Sequence, residues 1–267
     1  MTDTVDVQVS ACMDGVVTLT IHRPAARNAL RHQTMRELAD AIEAADADAS
    51  VRCVVLAGNA TAFAAGADIA EMLELDGPAL ASHPRTIAWQ RIWQTGCPMI
   101  AAVEGVAFGG GHELVLSCDI AIAGEAARFG QPEITLGWMP GAGGTQRLAR
   151  SAGKSMTMQM VLTGEPIDAP TALRVGIVSE VVSAGGALER ATAIAQRIAR
   201  HPRAATRLAR QAVLNAFETP LRDGVRAEQA AFRALASSDE RNARMRAFLH
   251  RSALPPSGPP SEGTRSG

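Results

Sequence analysis

The chain is 267 residues long, 47% hydrophobic and 20% charged, enough for a sizeable core in one large domain or two small ones. A net charge of −1 and a pI near 6.6 exclude the electrostatic footprint of a nucleic-acid or anionic-membrane binder. The longest apolar runs, 51–58 and 98–103, are too short to span a bilayer, and no basic or apolar leader opens the chain, so a cytoplasmic protein is expected.

In chain order, residues 16–22 alternate apolar and polar side chains and predict a half-buried strand. Residues 31–47 place Met35, Leu38, Ile42 and Ala45 on one helical face. A continuous apolar strand follows at 53–57, closed by Gly58-Asn59, then a short helix over 68–75 and a longer one over 85–95 carrying Ile87, Trp89, Ile92 and Trp93. Residues 98–103 read as a buried strand, 111–118 as a helix and 119–123 as a further strand. Strands that recur after helices predict parallel pairing in an α/β domain. From 187 to 250 the pattern is helical, with Pro202 and Pro220 suited to first turns. The apolar stripes there (Ile194 and Ile198; Leu208, Val213 and Phe217) are narrow for a self-sufficient core, so these helices need a partner surface. The expected organisation is an α/β catalytic core over 1–186, a helical region over 187–250 and an unstructured Pro/Gly/Ser-rich tail over 251–267. Cys12, Cys53, Cys97 and Cys118 form no CxxC pair, so neither a disulfide framework nor a zinc site is indicated; Cys53 and Cys118 read as buried, inert thiols.

The chemistry concentrates between Gly105 and Gly144. Gly-Gly-Gly-His-Glu ends on Glu113, Gly-Gln-Pro-Glu ends on Glu133, and Pro-Gly-Ala-Gly-Gly-Thr-Gln-Arg follows from Pro140. Glycine lets a backbone N–H approach a ligand closely, and acids beside bare backbone donors are what water addition to an activated carbonyl compound requires. Phe63-Ala-Ala-Gly-Ala-Asp68 offers a second small-residue turn. Nucleotide templates fail: the P-loop's first glycine would fall on Leu148, and the third dinucleotide glycine on Leu114 or Gln146. The second histidine of a zincin motif starting at His112 is absent, and no Gly-x-Ser-x-Gly occurs.

Over residues 5–250 the chain resembles the enoyl-CoA hydratase/isomerase (crotonase) superfamily. The resemblance rests on Arg23-Pro24 with Asn28-Ala29-Leu30, on the turn from Phe63 to Ile69, and on the run from Ala101 to Leu114. Cys118-Asp119, the segment from Phe129 to Ile134 and the segment from Leu136 to Leu148 complete it. It implies a spiral of β-β-α units with a C-terminal helical region that builds a homotrimer or homohexamer. The implied ligand is an acyl thioester of coenzyme A, with no separate cofactor, no metal, no nucleic acid and no membrane partner.

By the same resemblance, the N–H groups of Ala67 and Gly110 form an oxyanion hole. Glu113 activates a water, Glu133 supplies a proton to C2, and the N–H of Gly141 helps hold the water. Gln131 and Pro132 set the approach of Glu133. Ala65, Ala67 and Ile69 contribute backbone to coenzyme A binding, and Asp68 is a candidate coenzyme A-binding residue of the same segment that also fits a helix cap. Ala70 stands where a basic residue often follows, so Arg27 or Arg251 is a candidate for the phosphates. Asp119 reads as structural and His112 as a spectator, and Met72, Leu73, Leu75, Trp89, Trp93, Trp138 and Met139 are candidate acyl-pocket walls. The implied reaction is reversible syn hydration of a trans-2-enoyl-CoA to the 3-hydroxyacyl-CoA. Double-bond isomerisation is the alternative on the same scaffold, and an RNA-binding relative the alternative from another class. Both glutamates and the −1 charge count against the latter.

Overall fold

The computed structural model describes residues 5–75 and 77–252. After β1 (Val7–Val9), β2 (Val16–Ile21) and α1 (His32–Ala47), the chain passes three times through two strands and then helix. The first pass is β3 (Cys53–Ala57), β4 (Ala62–Ala64), α2 (Ile69–Leu73) and α3 (Pro84–Trp93). The second is β5 (Met99–Val103), β6 (Val106–Phe108) and α4 (Gly110–Ser117), and the third β7 (Ile120–Gly124), β8 (Arg128–Gly130) and α5 (Gly144–Thr163). Then come β9 (Ile167–Asp168), α6 (Ala169–Arg174), β10 (Glu180–Val182), α7 (Ala187–Ala199), α8 (Arg203–Asn215), α9 (Leu221–Ala236) and α10 (Asp239–Ser252).

Each pass gives its first strand to one sheet and its second to another. The larger sheet has the order β1-β2-β3-β5-β7-β10 and the smaller β4-β6-β8-β9. From β2 to β10 the larger sheet is parallel, with β1 as an antiparallel edge. Parallel neighbours require a long crossover, and the helices supply it. The result is the spiral of β-β-α units implied by the resemblance.

Side chains on the central strands alternate between two cores, as a period of two demands. Val54 and Leu56 of β3 pack in the cluster that holds Met35, Leu38 and Ile42 of α1 and Ile92 of α3. Cys53, Val55 and Ala57 face the other way and join Ile100, Ala102 and Ile122 against Ala187, Ala191 and Ala195 of α7. Strands buried on both faces read as unbroken apolar runs, which is why 53–57 and 98–103 are visible in the sequence. Cys53 is buried as expected, whereas Cys118 is half-buried, and all four cysteines are unpaired.

The helical stretch that begins at 187 divides in two. Helix α7 covers the larger sheet, whereas α8 and α9 bury no residue. Helix α8 is tied to the body by charge, and α9 packs on α8. Arg210 Nε donates to both oxygens of Asp119 at 2.8 Å, and Asp119 Oδ2 also accepts the Met99 N–H at 2.8 Å, which makes Asp119 a structural bracket. Pro202 and Pro220 stand one residue ahead of α8 and α9, at the cap positions rather than inside the first turns. No described helix is long and apolar enough to cross a membrane. Residues 253–267, most of the expected tail, and the side chain of Arg251 lie outside the described residues.

Asn28 fixes the approach to the smaller sheet. It is fully buried in the left-handed region (φ 58), a conformation that asparagine tolerates better than most residues. Its Oδ1 accepts the Arg23 N–H at 2.8 Å, and its Nδ2 donates to the carbonyls of Ala62 and Phe63 at 2.8 and 3.2 Å. One side chain thereby locks the loop after β2 onto β4. Asn28→Ala leaves buried polar groups without this partner and is expected to lower stability by about 2–3 kcal/mol. Urea unfolding measures the change, and an unaltered midpoint would show that this bracket does not hold β4 in place.

Candidate active site

Strands β4, β6 and β8 are adjacent and parallel, and the loops leaving their C-terminal ends meet at one cavity of ≈ 520 Å³. The loop after β4 is clamped by Leu30, whose N–H donates to Gly66 O at 2.7 Å and whose carbonyl accepts the Asp68 N–H at 3.1 Å. In such a parallel bridge the residue between, Ala67, keeps its own N–H for the opposite side. The loop after β6 turns at Gly109, whose φ of 49° and ψ of −122° suit a residue without Cβ. The Gly109 N–H donates to Gly130 O at 2.9 Å and holds this turn to β8. Gly110 is the first residue of α4, so no carbonyl one turn earlier can accept its N–H. A Cβ on Gly110 would lie 3.7 Å from Ala67 N, so the two amides are neighbours. Neither donates to another acceptor among the described residues.

Glu113 lies in the first turn of α4 with only 4% of its surface exposed. Its Oε1 accepts the N–H groups of Ala142 at 2.6 Å and Gly144 at 2.9 Å. Gly144 leaves room for this arrangement, because a Cβ there would fall 2.7 Å from the buried Gln131 amide, 2.9 Å from Pro140 Cβ and 3.0 Å from Glu113 Oε1. Arg147 supports the same turn: its Nη1 donates to Ala142 O at 3.1 Å, and its guanidinium lies 4.7 Å from the centre of the Trp93 ring. Glu133 sits in a 3-10 turn over Pro132–Leu136. Gln131, fully buried before it, donates to Glu133 Oε1 at 3.0 Å and Oε2 at 3.2 Å when its amide is oriented by its hydrogen-bonding partners.

The two acids share a cavity and differ in their surroundings. Burial raises the pKa of Glu113 above the ordinary glutamate value, and the amides of Gly144 and Ala142 and the charges of Arg85 and Arg147 offset only part of that rise. Those donors favour the ionised form. Burial pushes Glu133 up to about 7 against its own backbone N–H, and the charge of Glu113 adds to the rise. The Gln131 amide acts in the opposite direction, favouring ionised Glu133. Two carboxyl groups that both titrate above the ordinary glutamate range, one of them held by amides, can accept and give protons on one bound molecule.

Of the residues singled out from sequence, Glu113, Glu133, Ala67, Gly110, Gly141, Ala65 and Ile69 all line the cavity. Asp68 does not. It occupies the cap position of α2 without capping it, and its carboxylate pairs with Arg23 Nη1 at 3.1 Å. Arg27 is exposed and outside the wall, and only its carbonyl takes part, accepting the Ala65 N–H at 3.0 Å. Met72, Trp89, Trp138 and Met139 line the cavity, whereas Leu73, Leu75 and Trp93 do not. Leu73 is 83% exposed, and Trp93 stands against Arg147. His112 is fully buried against Phe129, with burial pulling its pKa down to about 4, so its ring is neutral at ordinary pH.

Sequence reasoning missed the Ala142 and Gly144 amides and missed Arg85, which lines the cavity from α3 and donates from Nη1 to Leu30 O at 2.7 Å. A signal for Arg85 existed. It precedes Trp89 and Ile92 by four and seven residues, placing a cation on the helix's inward face. No cluster of three or more His, Cys, Asp or Glu placed to hold a metal ion occurs among the described residues.

Comparison with known proteins agrees with this geometry. A family model described as "Enoyl-CoA hydratase/isomerase" matches residues 12–255. The chain is 47% identical over 236 residues to a 2,3-dehydroadipyl-CoA hydratase of Escherichia coli (strain K12), covering 88% of this chain and 92% of that one. It is 42% identical over 233 residues to a mitochondrial enoyl-CoA hydratase of Pongo abelii, covering 87% and 80%. A crystal structure of enoyl-CoA hydratase subunit I from Geobacillus kaustophilus HTA426 superposes with a TM-score of 0.90 at 40% identity, covering 94% of this chain and 97% of that one.

The titration of Glu133 offers a check that needs no substrate. With a folded pKa of about 7 against an ordinary value of 4.5, the native protein holds an extra proton between these pH values. Stability therefore falls as pH rises through that window. Glu133→Gln removes the loss, so the variant is expected to exceed the wild type by about 1–3 kcal/mol at pH 8, with the gap closing toward pH 5. Urea unfolding across pH measures it, and a difference independent of pH would show that Glu133 does not titrate in this range.

Proposed function

This chain belongs to the enoyl-CoA hydratase/isomerase family, and we propose that it adds water reversibly and syn across the double bond of a trans-2-enoyl-CoA. The observation that carries this reading is the pair of uncommitted amides, Ala67 and Gly110, in one cavity wall with two carboxyl groups, Glu113 held by two backbone amides and Glu133 with its pKa pushed up to about 7. The thioester oxygen accepts from the Ala67 amide in the loop after β4 and the Gly110 amide at the N-terminus of α4. Water, held between Glu113 and Glu133 with help from the Gly141 N–H, gives a proton to Glu113 as its oxygen bonds to C3. The π electrons move onto the thioester oxygen as an enolate, and Glu133 delivers its proton to C2. Both acids act from one side of the double bond, which makes the addition syn. Exchange with solvent returns the proton from Glu113 and reprotonates Glu133. One oxyanion donor is worth about 2.7–4 kcal/mol in such a site.

Isomerisation needs only an acid at the Glu133 position. The care with which two amides hold Glu113 favours hydration. The coenzyme A arm enters past Ala65 and Ile69, and the reaction needs no further cofactor. A homotrimer or homohexamer belongs to the same reading, supported by apolar side chains that α8, α9 and the turn between them leave uncovered, among them Val213 at 64%, Leu221 at 83% and Phe232 at 75% exposure. So does a cytoplasmic location, which cell fractionation tests.

Glu113→Gln and Glu133→Gln are each expected to lower kcat on crotonyl-CoA by about 10²- to 10⁴-fold while retaining thioester binding. Loss of the conjugated thioester absorbance follows the reaction, and wild-type rates in either variant would refute the assigned roles. Sedimentation of the full chain at micromolar concentration is expected to give a trimer or hexamer, and a monomer would remove the oligomeric reading.

A further inference from the structure

The cavity wall contains a cation that acts on Glu113 through space but to which the hydration steps assign no contact. Arg85 projects from α3 beside Trp89, and its neighbours in the wall include Met72 and Leu80. Its Nη1 is committed to Leu30 O. Its Nη2 lies 3.2 Å from where a Cβ of Gly110 would be. Standard bond lengths then put Nη2 within about 6 Å of the Gly110 nitrogen. Glu113, Glu71 and Asp68 act on the guanidinium through space, yet no carboxylate forms an ion pair with it among the described residues. Burial lowers its pKa from the usual arginine value, and an arginine so placed stays charged. A half-buried cation against apolar walls is costly unless an anion comes to it.

We infer that Arg85 recognises a carboxylate at the far end of the substrate's acyl chain, making the substrate class short 2-enoyl-CoA esters of dicarboxylic acids. The inference rests on the hydratase reading of the same cavity and narrows it. With the thioester oxygen on Ala67 and Gly110, a chain of roughly four to six carbons reaches from there to Nη2. The phosphates of coenzyme A cannot be this anion, because they lie at the opposite end of the substrate beyond the pantetheine arm. A carboxylate matches the planar guanidinium edge, and its charge strengthens each hydrogen bond. An uncharged chain of equal length leaves the cation desolvated without a partner, so the wrong substrate is penalised as well as the right one favoured.

The test compares the six-carbon 2-enoyl-CoA that ends in a carboxylate with trans-2-hexenoyl-CoA. The wild type is expected to prefer the carboxylated ester in kcat/KM by about 100-fold. Arg85→Met is expected to bring that ratio close to unity, and Arg85→Lys, which keeps the charge, to retain part of it. Calorimetric binding of the two saturated esters reads the same contact without turnover. Equal binding of these by the wild type overturns the inference. So does an equal loss of activity on both enoyl esters in Arg85→Met, which would assign the guanidinium to the reacting centre, on the enolate oxygen or on Glu113. If neither enoyl ester reacts while the carboxylated saturated ester still binds in preference, the hydratase reading falls and the assignment of Arg85 stands.

Discussion

The amides of Ala67 and Gly110 can meet a developing negative charge only because the rest of the fold leaves them uncommitted. A buried backbone N–H ordinarily finds an acceptor, and a free pair is a constraint that the surrounding structure has to enforce. Here Leu30 bonds on either side of Ala67, Asn28 fixes the carbonyls of Ala62 and Phe63, and the Gly109 N–H ties the second turn to Gly130. Donors fixed in this way need no reorganisation when charge appears, which is the source of their catalytic value. The smaller sheet supplies the frame, since three parallel strands that end side by side bring three loops to one place.

The two glutamates share one cavity and are held there in different ways. Glu113 receives its donors from the start of α5, where unpaired N–H groups and the helix dipole favour an anion. Burial raises both acids, and Glu133 rides on a short turn with fewer main-chain donors to offset it. The difference is one of backbone placement. The glycine-rich run around Gly143 and Gly144 therefore shapes the electrostatics of a residue 31 positions away.

Local patterns were legible where their cause is local. The strand Cys53–Ala57 is buried on both faces and announces itself as an unbroken apolar run. Strands β4, β6 and β8 have three residues each, too few to establish an alternation, so the smaller sheet had no sequence signal of its own. The glycine motifs around Glu113 and Glu133 were readable because their main chain forms the site directly. Asp68 obeys a local capping rule that loses to an ion pair with Arg23, 45 residues distant. Arg85 depends on Leu30, 55 residues away, and no local pattern specifies that meeting. Local propensity set the elements, and long-range partners decided which side chains entered the cavity.

The distribution of indole rings has a practical consequence. The chain has three tryptophans and no tyrosine. Trp89 and Trp138 line the cavity, and Trp93 stacks one ring further out, 6.0 Å from Trp89. Intrinsic ultraviolet emission from this protein therefore originates at the cavity and its immediate support, and the native molecule carries its own optical reporter of whatever occupies that space.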